Sequence, residues 1–205
     1  MKRPICADCQ RPLSVCYCHA LTRCQNSWPI HILQHPAESK HAIGTARIAE
    51  LSLSQCRLQV GENFDLSSLG SCDNEDGNVA GTLLVYPGGD SQPLETLAFD
   101  TPQRLVLIDA SWRKSRRMLL ESPEIMALPK VSLTPSALSR YKIRKVPNPN
   151  ALSTLEAIVS ALSIVESSPD VYHAMLETMD WMIDKQIELM GREVFEKNYS
   201  GHLKS

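Results

Sequence analysis

Short apolar runs separated by stretches with helical periodicity constrain this chain more than any other feature. The runs fall at residues 30–33, 58–60, 82–86, 104–108 and 131–133, and each has the length and the Val/Ile/Leu content of a buried strand. Helical spacing occupies residues 45–53, 113–120, 154–165 and 172–190. In the third of these, Leu155, Ile158, Val159, Leu162 and Val165 recur on one face; in the last, Met175, Met179, Met182, Ile183 and Met190 do so. The methionine stripe suits core packing first and a subunit contact second. Strands alternating with helices predict an α/β domain with a mostly parallel sheet, and ligands in such sheets sit beyond the carboxyl ends of the strands.

The chain has 205 residues, 43% hydrophobic and 21% charged, enough for one domain with a real core. It holds no apolar stretch long enough to span a bilayer. The opening Met1-Lys2-Arg3-Pro4 is followed by polar, cysteine-rich sequence and not by the apolar core of a secretory signal, so a cytoplasmic location is expected. The net charge of −2 speaks against nucleic acid only as a bulk figure. By segment it is +4 over 1–60, −8 over 61–103, +7 over 104–145 and −5 over 146–205. A basic block of that density is a possible phosphate footprint. Residues 61–80 are acidic and turn-rich, and are expected to form a solvated loop or insertion.

Seven cysteines without a secretory signal point to a reducing compartment and to metal binding in place of disulfides. Cys6, Cys9, Cys16 and Cys18 form C-x2-C-x6-C-x-C, which lets two close pairs surround one Zn²⁺ tetrahedrally. Free thiols are the plain alternative. His19 and Cys24 could substitute as ligands, while Cys56 and Cys72 look unrelated. Four sulfur ligands leave no open position, so the metal would be structural. A knuckle over 1–28 would then precede a main domain over 29–205 and would organise Lys2, Arg3, Arg11 and Arg23 for RNA.

The strand ends carry the remaining signals. Asp109-Ala110-Ser111-Trp112 closes one strand and leads into Arg113, Lys114, Arg116 and Arg117. This places an acid, a hydroxyl, a stacking plane and phosphate partners in one crevice. The same residues also suit a plain reading, in which Asp109 or Ser111 caps the next helix and Trp112 fills core. Tyr86-Pro87-Gly88-Gly89 ends another strand in a turn where glycines let a ligand approach the backbone. Gln34-His35-Pro36-Ala37-Glu38 follows the first strand, with His35 either a ligand or a hydrogen-bonded structural histidine. Ser153 and Glu156 read as a capping box after the proline-stiffened loop 147–150. The amides at that helix start could also hold a carboxylate or other anion.

Together these segments resemble the DTW-domain family, named for a D-x-T-W motif that reads Asp109-Ala110-Ser111-Trp112 here, with Ser in place of Thr. The cysteine knuckle, Gln34 to Glu38, Tyr86 to Gly88, Tyr141 to Pro147 and Ser153 to Ala157 occur in the family's order. The resemblance implies a SPOUT-like, mostly parallel α/β fold with a knotted C-terminal half. It also implies tRNA-uridine aminocarboxypropyl transfer, in which N3 of a variable-loop uridine takes the 3-amino-3-carboxypropyl group of S-adenosyl-L-methionine and methylthioadenosine leaves. Asp109 would be the base, aided by a raised pKa in a dry crevice, with Ser111 and Trp112 beside it. Tyr86, Pro87, Gly88, Leu152, Ser153, Thr154 and Leu155 would hold the cofactor. Arg113, Lys114, Arg116, Arg117, Lys142, Arg144 and Lys145 would receive tRNA phosphates. The competing readings are an RNA methyltransferase using the same cofactor and a noncatalytic zinc-dependent RNA-binding module.

Overall fold

The computed structural model describes residues 3–39, 41, 43–70, 81–134, 139–140 and 151–199. Strands β1 (Ile30–Gln34), β2 (Cys56–Val60), β3 (Thr82–Val85), β4 (Gln92–Pro93), β5 (Arg104–Asp109) and β6 (Lys130–Ser132) form one sheet. Its order is β2-β1-β5-β3-β6-β4 and every neighbouring pair is parallel. The helices are α1 (Pro36–Ser39), α2 (Ala46–Ser52), α3 (Trp112–Leu120), α4 (Pro123–Met126), α5 (Thr154–Val165), α6 (Pro169–Met190) and α7 (Arg192–Tyr199). The α/β expectation holds. The expected knotted half includes residues 135–150, of which only 139 and 140 are described.

Alternation along the strands sorts side chains to two faces. Ile30, Ile32, Leu83, Leu105 and Leu107 pack against α2, α5 and α6, together with the Met175, Met179, Met182 and Ile183 stripe. Leu33, Leu84 and Val106 face α3 and α4 through Met118, Leu119 and Ile125. A fully buried Leu, Ile or Met contributes roughly 1.5–3 kcal/mol, against about 0–1 kcal/mol for an exposed ion pair such as Arg117–Glu121. The apolar layers therefore hold the sheet, and the methionines belong to them.

Two expectations change. The 61–80 segment is not uniformly solvated: Phe64 and Leu69 are buried against α3 and α4, and the Phe64 amide donates to Ser122 Oγ at 2.9 Å. The acidic residues masked these two apolar anchors. The cations of the knuckle are not all turned outward either. Arg11 donates to the Gly44 carbonyl at 3.1 Å and Arg23 to the Leu51 carbonyl at 2.6 Å, while Arg47 reaches back to the Asp8 carbonyl at 3.0 and 3.2 Å. These arginines staple the knuckle to α2 and its approach.

His31, on the α3 side of β1, is 3% exposed. Burial lowers its pKa to about 4, opposed by a hydrogen bond with Gln59 and assisted by the Arg104 and Arg57 charges. The unfolded chain, whose histidine titrates near 6.5, takes up this proton first as pH falls. Stability contributed by neutral His31 is therefore present above about pH 6.5 and lost towards about pH 4. His31→Gln should flatten the dependence of melting temperature on pH across that window; an undiminished slope would contradict this assignment.

Candidate active site

Asp109 is the last residue of β5 and pairs in register with Gln34, the last residue of β1. Both side chains lie on the face that α5 covers. Gln34 Nε2 donates to Asp109 Oδ2 at 2.8 Å, and Thr154 Oγ1, from the first turn of α5, donates to Oδ1 at 2.5 Å. The half-buried carboxylate is thus gripped from two elements. It does not cap α3; Ser111 holds the N-cap position and its carbonyl accepts from the Ser115 amide at 2.8 Å, but its exposed side chain makes no capping bond.

The other side of the sheet edge carries the aromatic pair. Trp112 is 49% exposed, so the core-filling reading is excluded. Its indole meets the Tyr86 ring edge-on at 5.9 Å between centroids. Tyr86 also lies 3.3 Å from Ser115 Oγ, which donates to the Trp112 carbonyl at 3.0 Å. Pro87 and Gly88 continue outward and are exposed. A Cβ on Gly88 would stand 3.0 Å from Asp90 Oδ1, and one on Gly89 would meet nothing within 4 Å, so the turn is tight at Gly88 and open at Gly89.

The start of α5 is a complete capping box: Ser153 Oγ accepts from the Glu156 amide at 3.3 Å, and Glu156 accepts from the Ser153 amide at 2.7 Å. The Leu155 amide goes to Thr45 Oγ1 at 3.3 Å. These bonds consume donors that the sequence left free for an anion. The Ser153 and Leu155 side chains turn inward, while Leu152 and Thr154 are half-exposed. Glu156 does more than cap. It also accepts from the Ser139 hydroxyl and the Arg140 amide, and so ties residues 139–140 to α5.

Of the α3 cations, Lys114 pairs with Glu38 at 3.6 Å and Arg117 with Glu121 at 2.8 Å. Arg113 and Arg116 are exposed and have no ion pair among the described residues. Lys142, Arg144 and Lys145 lie outside the described residues. His35 is held by its neighbours: its Nδ1 accepts from the Ala37 amide at 3.0 Å and its Nε2 lies 3.6 Å from Glu62. His41 is exposed. The position that sequence reasoning did not single out as a site residue is Gln34. Adjacent parallel strands end together and bring their last residues side by side, but that β1 adjoins β5 is set by the sheet order and not by local pattern.

At the far end of the chain's first segment, the Sγ atoms of Cys6, Cys9, Cys16 and Cys18 all lie within 4.8 Å of one another, with Cys6 to Cys18 at 3.7 Å and Cys9 to Cys16 at 3.6 Å. A zinc tetrahedron with Zn–S bonds of about 2.3 Å has S···S edges of about 3.8 Å, so the four sulfurs fit the ion. A left-handed Gln10 (φ 57°) turns the chain between the pairs. Cys6 is held down to about 7, chiefly by the Cys9 amide, while burial pushes Cys9 and Cys18 up. A divalent cation at the centre reverses that direction, since a coordinating thiol is deprotonated. Cys24 is instead buried against α6, 3.4 Å from the Val171 carbonyl, and His19 packs edge-on against Trp181.

The DTW domain family profile matches residues 3–187. The chain is 33% identical over 192 residues to the tRNA-uridine aminocarboxypropyltransferase 2 of Drosophila melanogaster, covering 91% of this chain and 76% of that protein. It is 30% identical over 210 residues to the Mus musculus protein of the same name, covering 97% and 68%. Among solved structures, the SAM-dependent rRNA:acp-transferase of Vulcanisaeta distributa aligns with a TM-score of 0.46 and 16% identity over 84% of each chain.

Purified protein should carry one zinc per chain by elemental analysis. Cys9→Ser should lose it and lower the melting temperature by about 6–12 °C, the shift that a loss of ~3 kcal/mol produces in a domain of this size. Unchanged melting in a zinc-free Cys9→Ser variant would remove the structural role.

Proposed function

The chain belongs to the DTW domain family, and from that premise we propose that it is a tRNA-uridine aminocarboxypropyltransferase. The transferred group is the 3-amino-3-carboxypropyl arm of S-adenosyl-L-methionine, the acceptor is N3 of a variable-loop uridine, and methylthioadenosine leaves. The observation that carries this reading is the Asp109 carboxylate, gripped at the sheet's carboxyl edge beside an exposed Trp112, in a chain whose curated relatives bear that name.

Uridine N3 becomes a nucleophile only when its proton leaves. Each Asp109 oxygen accepts one hydrogen bond from the protein and retains capacity for another. Asp109 can therefore receive the N3 proton while its orientation is kept. S-adenosyl-L-methionine, when bound, supplies a methylene carbon activated by the neighbouring sulfonium. Trp112 and Tyr86 offer aromatic faces that suit such a cation. The competing methyl group is attached to the same sulfur, so relative placement of uridine and cofactor decides which carbon is taken.

Trp112 offers a stacking plane for an unstacked base, as single-stranded RNA segments require. Arg113 and Arg116, with Lys142, Arg144 and Lys145, form the phosphate-binding set; Lys114 and Arg117 share their charge with Glu38 and Glu121. Cys6, Cys9, Cys16 and Cys18 would hold a zinc ion through four sulfurs, which leaves no open position, so it would brace the knuckle and take no part in transfer. A SPOUT-like knotted C-terminal half and a cytoplasmic location belong to the same reading. No helix among the described residues is long and apolar enough to cross a membrane.

Unmodified tRNA incubated with protein and S-adenosyl-L-methionine should yield an aminocarboxypropyl uridine by nucleoside mass spectrometry, with methylthioadenosine as by-product; S-adenosylhomocysteine would instead identify a methyltransferase. Asp109→Asn should slow the reaction about 100-fold or more while tRNA binding persists. The Gln34 amide can rotate to keep its bond to the new side chain, which makes this substitution a clean test. Arg113→Glu with Arg116→Glu should weaken tRNA binding and reduce the slope of log affinity against log salt by about two. An unchanged slope would take α3 out of the RNA interface.

A further inference from the structure

We infer that Gln34 is a positioning residue for the transfer reaction and acts through Asp109, an inference that rests on the role proposed above for that aspartate. Gln34 is 5% exposed, at the end of a central strand whose other residues are buried as well. A buried primary amide is costly unless its polar groups are used. Its Nε2 is spent on Asp109 Oδ2, and its main-chain carbonyl accepts from the Gly61 amide at 3.0 Å. The residue is thus pinned at both its backbone and its side chain.

The arrangement fixes an orientation that one bond could not. The terminal torsion of an aspartate is broad, so a carboxylate held through one oxygen still rotates. Here Oδ2 is held from β1 by Gln34 and Oδ1 from α5 by Thr154. Two donors from two elements define the plane of the group and therefore the directions of the lone pairs that remain. The donor type also matters. A cation at position 34 would bind the carboxylate as a salt bridge and compete with its use as a proton acceptor, whereas a neutral amide orients it without neutralising it. The charged and titratable groups on the adjoining segments are engaged elsewhere or stand outside the pair. His35 faces Glu62, Glu156 holds Ser139 and Arg140, Lys114 faces Glu38, Tyr86 lies against Ser115, and Arg113 is exposed.

Gln34→Met keeps the length of the side chain and removes its donor; Gln34→Glu places an acceptor against an acceptor. Steady-state transfer should be measured well below each variant's melting transition, with Asp109→Asn in parallel. Gln34→Met should lower kcat about tenfold, with KM for tRNA and for S-adenosyl-L-methionine within about twofold of the wild type. Gln34→Glu should lower kcat further. Where the second carboxylate of Gln34→Glu prevents folding, Gln34→Met decides alone. A lowered melting temperature with wild-type kcat in Gln34→Met would make Gln34 merely structural and overturn the inference. The two levels separate cleanly. Wild-type turnover by Asp109→Asn would remove the proposed role of Asp109 itself, whereas an inactive Asp109→Asn beside a normal Gln34→Met removes only the role of Gln34.

Discussion

The parallel pairing of β1 with β5 in the interior of the sheet is the constraint on which the rest of the structure depends. It runs in register from Ile30 opposite Leu105 to Gln34 opposite Asp109. Because side chains alternate along both strands, the same pairing that buries Ile30, Ile32, Leu105 and Leu107 under α2, α5 and α6 delivers Gln34 and Asp109 to one face at the carboxyl edge. The apolar part of the pair supplies the stability, and its last rung sets Gln34 against Asp109. A slip of β1 by one residue would send Gln34 to the α3 face and away from Asp109.

The helices complete what the strands begin. α5 reaches the edge with its first turn, where the capping box and Thr45 settle the backbone and free the Thr154 hydroxyl for Asp109. α3 starts on the other side and brings Trp112 outward with its row of cations. The cysteine knuckle reaches the same edge indirectly. Arg11 grips the carbonyl of Gly44, next to Thr45, and Arg47 returns to Asp8 inside the knuckle. A metal held by the four sulfurs would thereby support the approach to α5 from a distance.

Much of this was legible from local pattern. Five of the six described strands, helices α2, α3, α5 and α6 and the capping box follow from apolar periodicity and cap chemistry, and the cysteine spacing predicted a cluster that the sulfur distances bear out. β4 escaped because Gln92–Pro93 is a two-residue, polar edge strand with no apolar signal. Phe64 and Leu69 escaped because acidic neighbours outweighed two isolated anchors. The partners of Asp109 and of Arg11 escaped for a different reason: Gln34 and Thr154 are 75 and 45 residues from Asp109 and Gly44 is 33 from Arg11, and only the folded chain brings them together. The DTW-domain motif pointed to Asp109 and Trp112, but it did not indicate that the carboxylate lies on the α5 side of the sheet edge and the indole on the α3 side.

The central claim is that this edge directs uridine to the carboxypropyl carbon of S-adenosyl-L-methionine and away from its methyl group. The most direct measurement supplies cofactor labelled at the methionine carboxyl carbon in one reaction and at the S-methyl carbon in another, and counts label in purified tRNA. The carboxyl label should appear in tRNA while the methyl label departs with methylthioadenosine. Methyl label retained in tRNA, with the carboxyl label left in solution, would contradict it.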